Sequence, residues 1–344
     1  MESVLITGAD GFIGSHLTDE FLNLNHNVIA LKRPNTPTKN LNHLIVNSAI
    51  EKVESRHKSF KGIPTIRPNL TLLECDLNDK EMLEAILLHF KPNIILHFGA
   101  QSLVLDSWKD PVYTIRTNVI GTINIFETVK KHDIKARIIV ACSSAEYGTT
   151  TKLNRPLREE DPLLAVHPYG ISKVAVELLS RQYHINFGID SINLRFFNQT
   201  GIRKTDDACS DFVREIVKIE LGLKKPEIQV GNLNTYRDIT GIEDTIQAIR
   251  LAVSKGKSGE TYNVCSSRKT QIREVLNIIL SYSNKKITVK ERVPKMLRKI
   301  DEDIILGDNT KIKQDLGWNV SVPLEVVLKE MYDYWMEIYK NSRI

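Results

Sequence analysis

Tyr169 and Lys173 stand four residues apart in Tyr169-Gly170-Ile171-Ser172-Lys173. In a helix that spacing puts both side chains on one face, one turn apart. An ammonium next to a phenol lowers the phenol's pKa and makes it a proton shuttle near neutral pH. Upstream, Ser143-Ser144 closes a run of apolar residues, where a hydroxyl, Ser144 above all, can orient a substrate oxygen beside that tyrosine. The Tyr-Lys spacing is common by chance in helices; it gains weight from a second constellation at the start of the chain. Gly8-Ala9-Asp10-Gly11-Phe12-Ile13-Gly14 lies between an apolar run and a helical pattern. One glycine makes a tight turn, one lets backbone amides approach a pyrophosphate, and one lets the helix pack closely on the strand. The helix N-terminus then offers amide donors and a partial positive charge to the phosphates.

The residues after the second apolar run test which dinucleotide such a loop would hold. A 2′-hydroxyl is usually met by an acid there, whereas this chain has Leu31-Lys32-Arg33. Two cations suit a 2′-phosphate, so NADP is expected, with NAD as the alternative. Asp76-Leu77 is placed to hold the adenine.

The elements that must position these groups are legible as alternation. Short β-rich runs at Ser3–Thr7, Val28–Leu31, Leu72–Cys75, Asn93–His97 and Arg137–Cys142 are expected strands. Helical spacing is read over Phe12–Asn23, Lys80–Phe90, Tyr113–Lys131 and Tyr169–Phe187, with a further strand at Ser191–Arg195. Strands alternating with helices imply βαβ units and a doubly wound parallel α/β sheet. Pro34–Pro68 reads as a long, irregular connection. Beyond Asn198 the pattern loosens, with helices at Cys209–Leu221 and Glu243–Val253, which suggests a smaller interleaved α/β lobe. The expected division is 1–190 for the dinucleotide domain and 191–344 for the second lobe.

Composition narrows the class. The chain has 344 residues, 47 Lys+Arg against 42 Asp+Glu, a net charge of +5 and 42% apolar residues. That is ordinary for a soluble globular protein and argues against disorder, and the weak basic excess does not call for nucleic acid. No apolar run reaches the length of a membrane span, and the N-terminus lacks the pattern of a secretory signal. The four cysteines form no CxxC pair and the nine histidines no HxH or HxxxH pair, so no metal site is expected and a cytoplasmic location is.

Taken together, the motifs GADGFIG, His97-Phe98-Gly99-Ala100-Gln101-Ser102, Asn118-Val119-Ile120-Gly121-Thr122, YGISK and Tyr262-Asn263-Val264 resemble the extended short-chain dehydrogenases/reductases of the nucleotide-sugar epimerase/dehydratase group. The resemblance covers nearly the whole chain and is greatest to GDP-mannose 4,6-dehydratases and GDP-4-keto-6-deoxymannose reductases. It implies a Rossmann domain with Gly8, Gly11, Phe12, Ile13, Gly14, Lys32, Arg33, Asp76, Leu77, Gly99, Ala100, Tyr169 and Lys173 around the cofactor. For a nucleotide-diphosphate sugar, expected to be GDP-linked, it implies Ser102, Asn198, Arg203, Arg237 and Arg298. The stretch Lys285–Lys299 carries seven cations opposed only by Glu291, and Arg298 is singled out from it by the resemblance alone. Relatives associate through helices of the first lobe, which implies a homodimer or homotetramer.

The resemblance also implies an opening step in which Tyr169 takes the C4-hydroxyl proton as hydride leaves C4. A 4,6-dehydratase then needs a base at C5, and Ser144-Ala145-Glu146 resembles the segment that supplies it, with Glu146 as the base. Two departures stand out: Ala145 cannot protonate a leaving hydroxyl, and the loop before Tyr147 is one residue short. A rotated Glu146 would be a structural carboxylate instead. The expected activity is a GDP-mannose (or related) 4,6-dehydratase, a lyase. The alternatives are a 4-keto-6-deoxy nucleotide-sugar reductase, a C4 epimerase, or a non-enzymatic NADP-sensing regulator.

Overall fold

A computed structural model describes residues 2–46, 51–53, 58–153, 155–296 and 302–341. Eight strands open the chain's β-structure: β1 (Ser3–Thr7), β2 (Asn27–Lys32), β3 (Glu51–Val53), β4 (Phe60–Ile63), β5 (Leu70–Glu74), β6 (Ile94–His97), β7 (Arg137–Ser143) and β8 (Ser191–Phe196). Short strands follow at β9 (Asn198–Thr200), β10 (Glu227–Gln229), β11 (Tyr236–Arg237) and β12 (Ile239–Gly241), before β13 (Thr261–Val264). The main sheet runs β13-β8-β7-β6-β1-β2-β5-β4-β3, parallel except for the β4 and β3 edge. The chain reverses its winding between β1 and β6, and in such sheets a ligand crevice opens at the carboxyl ends of those two strands.

Both sheet faces are apolar because both are covered, as a parallel sheet requires. Along β1, Val4 and Ile6 point to one core with Leu17 and Phe21 of α1 (Phe12–Asn23), while Leu5 points to the other. That second core takes Leu83 and Ile86 of α2 (Lys80–Phe90). Two short helices, α3 (Val104–Lys109) and α4 (Pro111–Ile115), then lead through a π-turn at Arg116–Ile120 into α5 (Gly121–Lys131). Helix α6 (Pro168–Phe187) begins at its N-cap His167, whose Nδ1 accepts the Gly170 N–H, and ends on Gly188 in the left-handed region. Helices α5 and α6 cover the second face with Phe126, Val129, Val176 and Tyr183.

The second lobe is built on α7 (Ala208–Glu220), and α8 (Ile242–Lys255) returns to the main sheet to pack against α1. Strand β8, helix α8 and strand β13 therefore belong to the sheet layer, although all fall within the expected 191–344 lobe. Helices α9 (Ile272–Leu280), α10 (Thr310–Leu316) and α11 (Leu324–Asn341) complete the chain; α7, α9 and α11 enclose a separate core around Ile228, Val230 and Met331. Three short strands, β14 (Thr270–Gln271), β15 (Thr288–Lys290) and β16 (Ile304–Ile305), pair with β11 and β10. Among the described residues no helix is long and apolar enough to cross a membrane.

Candidate active site

One cavity of about 2360 Å³ runs from the carboxyl end of β1 across into the second lobe. A single small-ligand site takes roughly 300–1,000 Å³, so this space has room for two nucleotides.

Its floor begins at the glycine loop. Gly8 adopts φ +69°, and a Cβ there would lie 2.8 Å from the Cα of Gly99. At Gly14 a Cβ would lie 2.1 Å from the Gly8 carbonyl oxygen, so only glycine lets α1 start this close to the turn. Gly11 is the N-cap of α1 and supplies no side-chain acceptor, which leaves first-turn amides facing the cavity. This is a cradle for a pyrophosphate. Below it, the Thr7 hydroxyl donates to His97 Nδ1, and His97 Nε2–H donates to Thr122 Oγ1, which itself donates to the Asn118 carbonyl. Burial holds the His97 pKa down to about 3, so the ring is a neutral brace for the loop.

Of the expected cofactor residues, Gly8, Gly11, Phe12, Ile13, Gly14, Arg33, Asp76, Leu77, Gly99, Ala100, Tyr169 and Lys173 all line the cavity. Lys32 does not. It is 2% exposed, and its Nζ donates to Glu74 Oε1 at 2.8 Å. The acid missed in the sequence sits on the neighbouring strand β5, in register with Lys32. Arg33 is exposed, and its Nη1 donates to the Tyr113 hydroxyl at 2.6 Å. Of the expected pair only Arg33 is thus presented to the cavity.

Tyr169 and Lys173 lie on one face of α6, with Lys173 Nζ 6.0 Å from the Tyr169 ring centroid. Lys173 is buried and donates to the Ala141 carbonyl at 2.6 Å. The phenol is not lowered as expected from Lys173: burial pushes Tyr169 up to about 12, and its hydrogen bond with Ser143 pulls the other way. Helix α6 is anchored by Asn118, whose Nδ2 donates to Ser172 Oγ and to the Gln101 carbonyl while its Oδ1 accepts the Gln101 N–H. Beside the tyrosine, the His167 ring stacks nearly parallel at 6.1 Å. Burial lowers its pKa, and because Nδ1 accepts the Gly170 N–H, the neutral ring carries its proton on Nε2.

The segment after β7 corrects two expectations. Ser143 ends the strand and caps a 3₁₀ turn over Ser144–Glu146: its Oγ accepts the Ala145 N–H, and Glu146 Oε1 accepts the Ser143 N–H at 2.7 Å. The turn leaves Ser143, Ser144 and Ala145 on the cavity wall and folds Glu146 behind it, with none of its surface exposed. Glu146 is therefore off the cavity wall where the expected base would stand, the placement of the structural-carboxylate alternative for a loop one residue short. The hydroxyl that meets Tyr169 is that of Ser143, while Ser144 lines the wall alongside.

On the second lobe, Ser102, Asn198 and Arg237 line the cavity. Asn198 Nδ2 donates to the Asp238 carbonyl, and Arg237 Nη1 donates to the carbonyls of Tyr236 and Glu302. Arg203 is a correction: it sits in the left-handed region at φ +69° and pairs with Asp19 of α1 at 2.8 Å, away from the cavity. Its neighbour Lys204 lines the cavity instead, over the Phe12 ring. Arg298 lies outside the described residues. The site also includes Lys218, Lys224, Lys225 and Gln229, lining residues that no motif signals.

A dinucleotide cradle beneath a serine, tyrosine and lysine, facing a second lobe with its own arginine and lysines, defines an extended short-chain dehydrogenase/reductase. The family described as GDP-mannose 4,6 dehydratase matches residues 5–331, and the chain belongs to it, a family of enzymes that modify nucleotide sugars. Its relatives divide by chemistry. The GDP-6-deoxy-D-mannose reductase of Pseudomonas aeruginosa is 25% identical over 245 residues, covering 71% of this chain and 80% of the relative. GDP-mannose 4,6 dehydratase 1 of Arabidopsis thaliana is 27% identical over 350 residues, covering 99% and 91%. The structure of the UDP-glucose 4-epimerase of Thermotoga maritima with UDP-glucose superposes with a TM-score of 0.81 at 25% identity, covering 98% and 99%.

Proposed function

We propose that this enzyme reduces a 4-keto nucleotide-diphosphate hexose at C4, using NADPH and making no use of water elimination. The observation that carries the reading is the position of Glu146 behind the cavity wall while Ser143 and Tyr169 face the cavity. Oxidation or reduction at C4 needs only the latter two with Lys173; abstraction of a C5 proton needs a base, and the segment that would supply it turns away. The glycine cradle and the exposed Arg33 fit a dinucleotide carrying a 2′-phosphate. When bound there, the reduced nicotinamide supplies hydride to the ketone carbon. Tyr169 gives its phenolic proton to the developing alkoxide, Ser143 holds that oxygen by a hydrogen bond, and solvent restores the tyrosine's proton as the alcohol leaves. A phenol that burial keeps protonated is in the state this direction requires. Lys173, held by Ala141 with its Nζ 6.0 Å from the Tyr169 ring centroid, supplies the nearby positive charge for the transient phenolate.

Arg237 and Lys204 support a diphosphate-linked substrate. The GDP linkage is proposed from the family and the reductase relative. The test is stoichiometry. Purified enzyme given a GDP-linked 4-keto-6-deoxy sugar should oxidise one NADPH per sugar reduced and leave GDP-mannose with catalytic NADP untouched. Conversion of GDP-mannose to a 4-keto-6-deoxy product without net change in NADPH would replace this reading with the dehydratase, whose base would then be sought at His167 or Glu302 on the cavity wall. Interconversion of C4 epimers without net NADPH change would replace it with the epimerase.

A further inference from the structure

Directly behind Ser143 lies a closed polar cluster on three elements. Strand β7 and its turn contribute Cys142, Glu146 and Tyr147; α6 contributes Glu177; β8 contributes Arg195, and all five are buried. Arg195 is engaged at every nitrogen: Nε and Nη2 go to the two Glu177 oxygens at 2.7 and 2.5 Å, and Nη1 goes to the Tyr147 hydroxyl and the Glu159 carbonyl. Glu146 Oε2 is only 3.6 Å from Arg195 Nε yet receives no donor. Its neighbour is the Glu177 carboxyl, close enough that oxygens of the two, with Cys142 Sγ, lie within 4.8 Å of one another.

Two carboxylates this close, in a site closed to water, favour one shared proton over two charges. Lys173 acts on Glu146 through its charge, without a hydrogen bond to either carboxylate. Lys173 Nζ turns to the Ala141 carbonyl, burial keeps the Cys142 thiol protonated, and burial likewise keeps the Tyr147 and Tyr169 phenols neutral. Burial and then the Glu177 charge push the Glu146 carboxyl well up. Burial also acts against Glu177, but the bidentate Arg195 outweighs it and holds that carboxyl down. One proton therefore belongs between them, and it sits on Glu146. Arg195 then balances Glu177, and a further cation among Cys142, Glu146 and Glu177 would be held against the guanidinium's charge.

We propose that Glu146 is a neutral positioning residue: its protonated oxygen donates to Glu177, its other oxygen fixes the Ser143 N–H, and the strand end so held aims the Ser143 hydroxyl at Tyr169. The proposal rests on the reading of Ser143 and Tyr169 as the groups that meet the substrate's C4 oxygen. It makes the Glu146 position, which would serve elimination if it faced the substrate, a rigid mount for C4 chemistry.

Glu146→Gln keeps an acceptor for Ser143 and puts an amide N–H where the proton stands. Its kcat for NADPH-dependent ketone reduction should stay within about threefold of wild type. Glu146→Leu removes both bonds and should lose about 30-fold or more in kcat with KM for the sugar nucleotide changed less than about twofold. Because the effect runs through Ser143, adding Glu146→Leu to Ser143→Ala should cost almost nothing beyond Ser143→Ala alone. A readout without turnover is the infrared carbonyl band of a protonated carboxyl at pH 7.5, which the wild type should show and Glu146→Gln should lack, since the remaining Glu177 stays ionised on Arg195. The proposal is overturned if Glu146→Gln is as inactive as Glu146→Leu, if Glu146→Leu retains full kcat, or if Glu146→Gln leaves the wild-type protonated-carboxyl band unchanged. Should Glu146→Leu not fold, or the wild type reduce no 4-keto sugar nucleotide, the infrared comparison of wild type with Glu146→Gln decides the matter alone. The latter result would count against the C4 reading and not against the shared proton.

Discussion

Neighbouring residues with the same charge have divergent fates here. Lys32 and Arg33 read alike in sequence, and so do Arg203 and Lys204, yet one of each pair pairs with an acid elsewhere and the other reaches the cavity. At the end of β2 successive side chains point to opposite sides, at Arg203 a left-handed turn separates the two, and which one faces the ligand is decided by partners on other elements, Glu74 on β5 and Asp19 on α1. Lys32→Ala leaves Glu74 buried without its cation and should cost about 3 kcal/mol in urea unfolding, with the NADPH-to-NADH preference unchanged. Arg33→Ala should do the reverse, raising KM for NADPH about tenfold with little effect on NADH or on stability. Steady-state rates with both cofactors separate the two. That Tyr169 and Lys173 share a face, by contrast, was legible from spacing, because a helix dictates where the fourth residue falls. The Tyr169 phenol, pushed up to about 12 by burial, is protonated throughout the working range, so reduction should be flat from pH 6 to 9 while the reverse oxidation, which needs the phenolate, should accelerate as pH rises. Tyr169→Phe should lower kcat by roughly 10²–10⁴ in both directions with dinucleotide affinity retained by fluorescence titration.

Elements with a strong period were legible to within a residue or two: the expected Phe12–Asn23, Lys80–Phe90 and Arg137–Cys142 have their counterparts in α1, α2 and β7. What escaped had no local period. The β3–β4 hairpin lies within the irregular Pro34–Pro68 stretch, and the π-turn that presents Asn118 interrupts what reads as one continuous helix. The membership of β8 and β13 in the main sheet is set by pairing across 68 residues, as at Asn193 and Thr261, which no sequence window contains. Likewise the role of Asp238 depends on long-range partners. Between β11 and β12, its Oδ1 accepts the Ser266 N–H and hydroxyl, and its Oδ2 accepts the N–H groups of Ser267 and Gly307. One carboxylate thus ties the strand bearing Arg237 to the end of β13 and to the segment following β16. An amide has only one accepting oxygen, so Asp238→Asn sets an N–H₂ against two donors and should cost about 2–4 kcal/mol by thermal or urea unfolding. The same variant should raise KM for the nucleotide sugar while leaving KM for NADPH nearly unchanged, because the glycine cradle is built on other strands.

Over the whole molecule the net charge is +5, and the cavity carries both signs. Its second-lobe wall carries Lys204, Arg214, Lys218, Lys224, Lys225 and Arg237, and the same wall carries Asp206, Asp207, Asp211, Glu215, Glu227 and Glu302. Recognition of a diphosphate there depends on which cations point at it, and on how many of those acids are ionised. Asp211 on α7 is the adjustable one: burial first, then the Asp207 carboxylate, pushes it up to about 6, with Arg214 opposing. An acid whose folded pKa exceeds its unfolded value near 3.8 takes up a proton on folding, so its contribution to stability is present at low pH and lost as pH rises from about 4 to about 6. At pH 7.5 the ionised group works against the fold and against an incoming diphosphate. Asp211→Asn removes that charge. It should raise Tm relative to wild type at pH 7.5 and give no gain at pH 4, where wild-type Asp211 is already largely protonated. In the wild type, the dissociation constant for GDP-mannose, whose diphosphate has no ester-free end to titrate in this range, should tighten about threefold or more by calorimetry as pH falls from 7.5 to 5.5, since binding the anion favours the protonated acid. In Asp211→Asn the affinity should be high and nearly level over the same interval. Equal pH sensitivity in the two proteins would place the responsible group elsewhere on the wall and remove Asp211 from substrate recognition.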